Sequence, residues 1–162
     1  MSFPGAPGLP TEHTDPGTHH HGRETLMTHQ QMIFVNLPVN DLDASKKFFT
    51  ELGYTINPQF SDEKAASVVI SDTIFAMLLT KPFYSTFTKK EIADATTTSE
   101  VLVCLSAESR EKVDELVDRA IAAGGTPSGQ TQDHGFMYGR GFDDLDGHSW
   151  EVMWMDPSAI QG

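Results

Sequence analysis

The sequence predicts an α+β fold of two βαβββ modules, because one order of strand and helix segments occurs twice along the chain. The segments Val35-Asn36-Leu37 and Val103-Cys104-Leu105 occupy matching places, each just before an amphipathic helix. Three strand-like segments then follow each helix. A ferredoxin-like α+β sandwich shares the opening strand and helix, but it does not explain three strands after each helix.

The first module begins with a period-two alternation of apolar residues at 33–39, which predicts a strand. Asn40 or Asp41 offers an N-cap for the next helix, and Gly53 supplies its left-handed C-terminal stop. Three further strands are predicted at 54–60, 65–70 and 74–79, with Pro58 placing the first of them at a sheet edge.

The second module repeats this order with a strand at 101–105 and a helix that Ser109 caps and Gly124-Gly125 end. Its three later strands are predicted at 127–131, 136–142 and 149–155, and the last two are joined by a turn at Asp146-Gly147. We therefore expect one domain over 31–157, with modules at about 32–81 and 99–156 and a short C-terminal tail at 158–162.

The connector at 82–98 is predicted to carry a helical turn around 89–94. It also holds three aromatic residues, Phe83, Tyr84 and Phe87, which the pattern of helices and strands does not use. A simple surface loop seldom carries such a cluster. We interpret it as a lid over a binding site or as part of a dimer contact.

Residues 1–30 differ in composition from the rest, since proline, glycine and histidine replace most apolar residues. Such a segment buries too little surface to offset its ordering entropy, so we predict a disordered tail or a remnant of an expression vector. Three adjacent histidines, His19 to His21, could hold a metal weakly, but a solvated tail is the simpler interpretation.

The net charge of −12 argues against nucleic acid and anionic membranes as partners, because like charges repel. No apolar stretch approaches the roughly 18 residues of a membrane-spanning helix, and no secretory signal is visible. The single cysteine, Cys104, excludes an intrachain disulfide and fits a cytoplasmic location.

Two motifs at opposite ends of the domain resemble a known family. The segment 39–45, Val-Asn-Asp-Leu-Asp-Ala-Ser, with Phe48-Phe49 and Leu52-Gly53 after it, resembles the opening of vicinal-oxygen-chelate (VOC) proteins. The segment 142–151, from Phe142 to Glu151, resembles their closing hairpin. The family includes glyoxalase I, extradiol dioxygenases, fosfomycin-modifying enzymes and bleomycin-binding proteins. The resemblance implies two modules with curved mixed sheets that form a cup.

The resemblance also implies where a divalent metal would be held, through one side chain from each of four strands. The matching positions here are Phe34, Met77, Leu102 and Glu151, with the middle two uncertain by one or two residues. Only Glu151 is a ligand for a hard cation, whereas catalytic sites keep about three protein ligands. We therefore expect no metal and no other cofactor.

Strand alternation predicts which side chains line the cup if Glu151 points inward. Ser149 and Met153 then share its face. The remaining predicted ligand-binding residues are Phe34, Asn36, Phe75, Met77, Leu79, Leu102, Cys104 and Tyr138. These residues make an apolar, methionine-rich cup with Glu151 and Asn36 as polar groups, as in pockets for small, partly apolar ligands. The alternative is that these side chains close on one another as a filled core.

Glu151 is the one catalytic candidate, as a general acid or base or as an anchor for a ligand amine. His134 and His148 are weaker candidates at the cup mouth or rim, Arg140 could add a hydrogen bond, and Cys104 is expected to be a small core residue.

Three functions stay open at this point. The first is a metal-independent protein that binds a small molecule, and the second is a glyoxalase- or dioxygenase-like enzyme that uses Glu151 or a metal held by unassigned ligands. The third is a dimerisation module with a closed cup. The resemblance favours a homodimer and leaves open whether the cup lies within one chain or between two, since the fold alone does not settle function.

Overall fold

The computed structural model describes residues 29–160, so the predicted tail lies outside the described residues apart from its last two. The strands are β1 Ile33–Val39, β2 Thr55–Asn57, β3 Ala65–Val69, β4 Ile74–Thr80, β5 Val103–Ser106, β6 Thr126–Asp133, β7 Met137–Asp143 and β8 Ser149–Met155. The helices are α1 Leu42–Glu51, α2 Lys81–Tyr84, α3 Arg110–Ala122 and α4 Pro157–Ile160. Among these residues no helix is long and apolar enough to span a membrane.

Both long helices begin and end where the sequence places their caps. Asp41 accepts a hydrogen bond from the backbone N–H of Ala44 at α1, and Ser109 accepts one from Lys112 at α3. Each cap satisfies a backbone donor that the first helical turn leaves free. Gly53, which follows α1, has a φ of 106°, a conformation that residues with a Cβ seldom adopt.

The βαβββ repeat predicted from the sequence is present in two four-stranded sheets. The strand orders are β1-β4-β3-β2 and β5-β8-β7-β6. In each sheet the first strand pairs in parallel with the last, and the other neighbours are antiparallel. The α+β class and the two-module architecture are confirmed.

The hydrophobic core lies between the two sheets, where α1 and α3 cover one face of each. Phe48 and Phe49 of α1 reach the second module, with ring centroids 6.2 Å from Phe142 and 5.6 Å from Trp150. Trp150 is 1% exposed and packs on the helix side of β8. The helix-facing sides of both sheets therefore share one core, and the opposite faces point away from it.

Four local predictions were wrong in detail. The predicted strand at 54–60 is shortened by a 3₁₀ turn at Pro58–Phe60, since proline cannot donate to a sheet ladder. The connector forms its helical turn at Lys81–Tyr84 instead of around 89–94. Strand β6 is longer than predicted and carries a bulge between Ser128 and Gln132. The predicted C-terminal tail begins with the short helix α4.

Candidate functional site

The open face of the first sheet carries the predicted cup residues of β1 and β4. Phe34 and Phe75 are register partners whose rings stack at 5.0 Å between centroids, with 13° between their planes. Asn36 and Met77 form the next pair on this face. Phe34 is 52% exposed within the chain, so this apolar face is open.

The open face of the second sheet holds a cavity of about 350 Å³. Leu102, Cys104, Glu151 and Met153 line it, as predicted from strand alternation, and all its lining residues belong to the second module. Gly139 and Gly141 of β7 form its floor, since these glycines pair with Met153 and Glu151 of β8. These two glycines were not among the predicted site residues, although their spacing in a strand was a visible signal.

Glu151 and Cys104 are register partners across the β5–β8 ladder, and both are exposed. Burial raises the pKa of the Cys104 thiol, and the charge of Glu151 raises it further. The thiol is therefore kept in its neutral, weakly nucleophilic form. Within residues 29–160 the Glu151 carboxylate has no ion-pair partner and accepts no side-chain hydrogen bond.

A second cavity, of about 230 Å³, lies beneath the connector. Asn36, Tyr84 and His148 line it, and Ser149 lines both cavities, so the two adjoin. Of the three connector aromatics, only Tyr84 reaches this cavity, whereas Phe83 and Phe87 pack edge to face at 5.1 Å. The connector thus forms one wall of the site.

Two predicted cup residues lie elsewhere. Tyr138 pairs with Trp154 on the helix-facing side of the second sheet, because residues directly opposite in a ladder share a face. Leu79 is on the predicted face of β4 but is only 2% exposed, so it packs inside the protein. Arg140 also turns its guanidinium toward α3 instead of the cup.

A polar network on that opposite side ties β7 to α3. Tyr138 donates a hydrogen bond of 2.7 Å to Asp114, and Arg140 pairs with Asp114 at 2.9 Å and Asp118 at 3.0 Å. The hydrogen bond to Asp114 raises the pKa of the Tyr138 hydroxyl and lowers that of Asp114. These groups therefore hold the sheet to its helix.

The four positions that the resemblance matches to a metal site do not suit a metal ion. Phe34, Met77 and Leu102 offer no hard donor, and Glu151 supplies the single carboxylate. Even with the neighbouring Cys104 thiol the set has two ligands, below the three of a catalytic site. Within residues 29–160, Glu151 belongs to no group of three potential ligands whose donor atoms lie within 4.8 Å.

One such group of three does occur, formed by Asp144, Asp146 and His148 in the β7–β8 turn. All three side chains already make hydrogen bonds within the protein. Asp144 accepts hydrogen bonds from the indole of Trp150 and from two backbone N–H groups of the turn. His148 donates from Nε2 to the carbonyl oxygen of Pro38 at 2.8 Å, since that oxygen can only accept.

Asp146 extends this network into the first module. Its Oδ1 accepts from the backbone N–H and the side-chain amide of Asn40, both at 2.8 Å, and its Oδ2 accepts from Ser45 at 3.3 Å. Burial raises the pKa of the neighbouring Asp144 carboxyl, although its hydrogen bonds oppose the shift. The turn therefore links the two modules. We call the hydrogen bonds of Asp146 to Asn40 and Ser45 the Asp146 tie.

His134, the other weak candidate, lies in an exposed turn. Its backbone N–H bonds to the carbonyl of Met137, and its ring centroid is 6.4 Å from that of Phe136. It lines neither of the two cavities.

Comparison with known proteins agrees with this architecture. Residues 31–71 match the family model described as bleomycin resistance protein-like N-terminal. The structure of a hypothetical protein from S. aureus shares 29% identity and a TM-score of 0.66, over 80% of this chain and 98% of that one. A glyoxalase/bleomycin resistance protein/dioxygenase family enzyme from Burkholderia phytofirmans shares 16% identity and a TM-score of 0.64, over 78% and 99%.

The chain has the fold of the vicinal-oxygen-chelate superfamily. A fosfomycin resistance protein from Listeria monocytogenes has the same fold, with 19% identity and a TM-score of 0.56 over 78% of this chain and 91% of its own. The comparison with curated proteins returns no match. These similarities establish the VOC fold. The class of ligand has to be inferred from the residues of the site.

Proposed function

We propose that this protein is a member of the VOC superfamily that binds a small, partly apolar molecule without a metal ion. The observation that carries the proposal is the cavity on the second sheet, whose wall is built from Leu102, Cys104 and Met153 with Glu151 as its charged group. Pockets of this composition bury the apolar body of a ligand and orient it through a few polar groups. The unsuitable donor set at the family's metal positions supports the same proposal.

We also propose that a second copy of the chain completes the cup. Phe34 is 52% exposed on the first sheet, and Leu102 is 60% exposed on the second. Apolar patches of this kind usually mark an interaction surface. A homodimer that places the first sheet of one copy over the second sheet of the other would cover both, and sedimentation of Leu102→Asp against wild type tests this. A cytoplasmic location remains part of this proposal, supported by the single unpaired cysteine.

The proposed ligand binding is tested by a screen of small molecules on the full chain in the presence of EDTA, with thermal unfolding as the measurement. A ligand present at 100 times its Kd raises the free energy of unfolding by about 2.7 kcal/mol. The proposal predicts a stabilising ligand whose effect falls in Glu151→Ala and persists in Glu108→Ala, which removes an exposed acid outside the cavity. Chemical conversion of the ligand would move the protein to the enzyme class. A ligand effect that appears only with added metal would contradict the proposal.

A further inference from the structure

The floor of the cavity on the second sheet contains a glycine that packing does not explain. A Cβ built on Gly139 would lie 3.6 Å from the carbonyl oxygen of Val152 and 4.0 Å from the side chain of Met153, which are ordinary contacts. Its φ lies outside the left-handed region, so any residue could adopt the backbone conformation. Glycine is nevertheless unfavourable inside a strand, since it loses more backbone entropy on folding than other residues.

At the neighbouring Gly141, in contrast, the protein's own backbone leaves no room for a side chain. A Cβ there would lie 2.7 Å from the carbonyl oxygen of Ser128, beside the bulge in β6. Gly141 is therefore required by the protein's own backbone, whereas Gly139 is not. An unrequired glycine in a strand often marks a place where a ligand approaches the backbone closely.

The groups around this floor specify the chemistry of such a ligand. Two glycines on one face expose the flat peptide groups of β7, and Met137 and Met153 line the same cavity with polarisable thioethers that pack well against aromatic rings. Glu151 lies directly across the ladder from Gly141 and brings a negative charge that no cation among residues 29–160 pairs with. The chain as a whole carries a net charge of −12, which also attracts cations.

We propose that Gly139 and Gly141 form a flat floor for a planar, positively charged ring system, whose charge pairs with Glu151. This inference rests on the proposed binding function and adds the class of ligand. Gly139 is then a residue that determines specificity, because a methyl group on it would lift a ring off the peptide plane. A compact, non-planar cation would pair with Glu151 but gain nothing from the floor.

The test titrates the full chain with proflavine, a planar cation, in EDTA, and follows the fluorescence of the dye. We expect saturable binding that weakens by at least about tenfold in both Gly139→Ala and Glu151→Gln. The first change places a methyl group on the flat floor, and the second removes the negative charge that pairs with the dye. Two controls match these changes outside the cavity. Ser106→Thr adds one methyl group on the same face, and Glu108→Gln removes one exposed charge; both should leave binding unchanged.

Four results would overturn the inference alone. Proflavine binding that is unchanged in Gly139→Ala would show that Gly139 does not form a floor for the ligand. Binding of adamantanamine as tight as that of proflavine would show that the site does not prefer planar ligands. A fall in dimer content in Gly139→Ala, with proflavine binding intact, would mean that the glycine accommodates a second copy. If neutral or anionic molecules bind but proflavine does not, this inference fails and the proposed function stands; if no molecule of any class binds, the proposed function itself fails.

Discussion

Replacing Asp146 tests whether the β7–β8 turn holds the two modules together. Asp146 is 9% exposed, and its carboxylate accepts two hydrogen bonds of 2.8 Å from Asn40 and one of 3.3 Å from Ser45. Hydrogen bonds to a charged group contribute about 1.5–3 kcal/mol each, and donors that lose their acceptor regain part of this where water reaches them. Asn40 is exposed and Ser45 is 3% exposed, so only the Ser45 hydroxyl stays unsatisfied.

We therefore expect Asp146→Ala to lower the free energy of unfolding by about 3 kcal/mol. Asp146→Asn keeps an acceptor oxygen for Asn40 and should cost about 1 kcal/mol. For a domain of this size the larger change corresponds to a fall in Tm of about 10 °C.

Urea and thermal unfolding followed by circular dichroism measure these changes. The matched control is Asp72→Ala, which removes an exposed acid from the corresponding turn of the first module and should stay within about 0.5 kcal/mol of wild type. If Asp146→Ala also stays within that range, the hydrogen bonds of the Asp146 tie contribute no net stability and our reasoning about the turn is wrong.

Three further predictions follow from the second sheet. Gly141→Ala should lower the free energy of unfolding by about 1–3 kcal/mol in urea melts, because its Cβ would meet a backbone oxygen of β6 at 2.7 Å; unchanged stability would contradict that contact. Glu151→Gln should lower the pKa of the Cys104 thiol by removing a charge that raises it, so alkylation at a fixed pH should become faster, and a slower reaction would contradict the predicted sign. Asp114→Asn should lower the pKa of the Tyr138 hydroxyl in an ultraviolet titration, because the charged hydrogen-bond acceptor that raises it is lost; a pKa that stays raised would assign the shift to burial instead.

Local signals in the sequence were sufficient to predict the fold. The caps at Asp41 and Ser109 and the stop at Gly53 depend on residues within one helical turn, so their chemistry is visible without the tertiary structure. The repeat of one strand, one helix and three strands then fixed the module order, since neither half covers its own apolar surface alone.

The candidate site was predicted only in part, because each error required knowledge of a partner distant in sequence. Tyr138 was placed on the wrong face since its direction follows from its pairing with Trp154, which alternation within β7 alone does not give. The Asp146 tie was missed because its partner Asn40 is 106 residues away. Gly139 and Gly141 carried a visible signal, but their position beside Glu151 depends on the register of β7 and β8.

The central claim is that this protein of the VOC fold uses its cup without a metal, and metal content tests it most directly. Full-length wild type and Glu151→Ala would each be incubated with nickel, zinc, manganese or ferrous ions, passed through gel filtration and analysed for bound metal per chain. The histidines of the first 30 residues contribute equally to both proteins, so the difference between them reports the cup alone. We predict no difference between the two proteins. Close to one equivalent of metal that is present in wild type and absent from Glu151→Ala would contradict the claim and place the chain with the metal-dependent proteins of this fold.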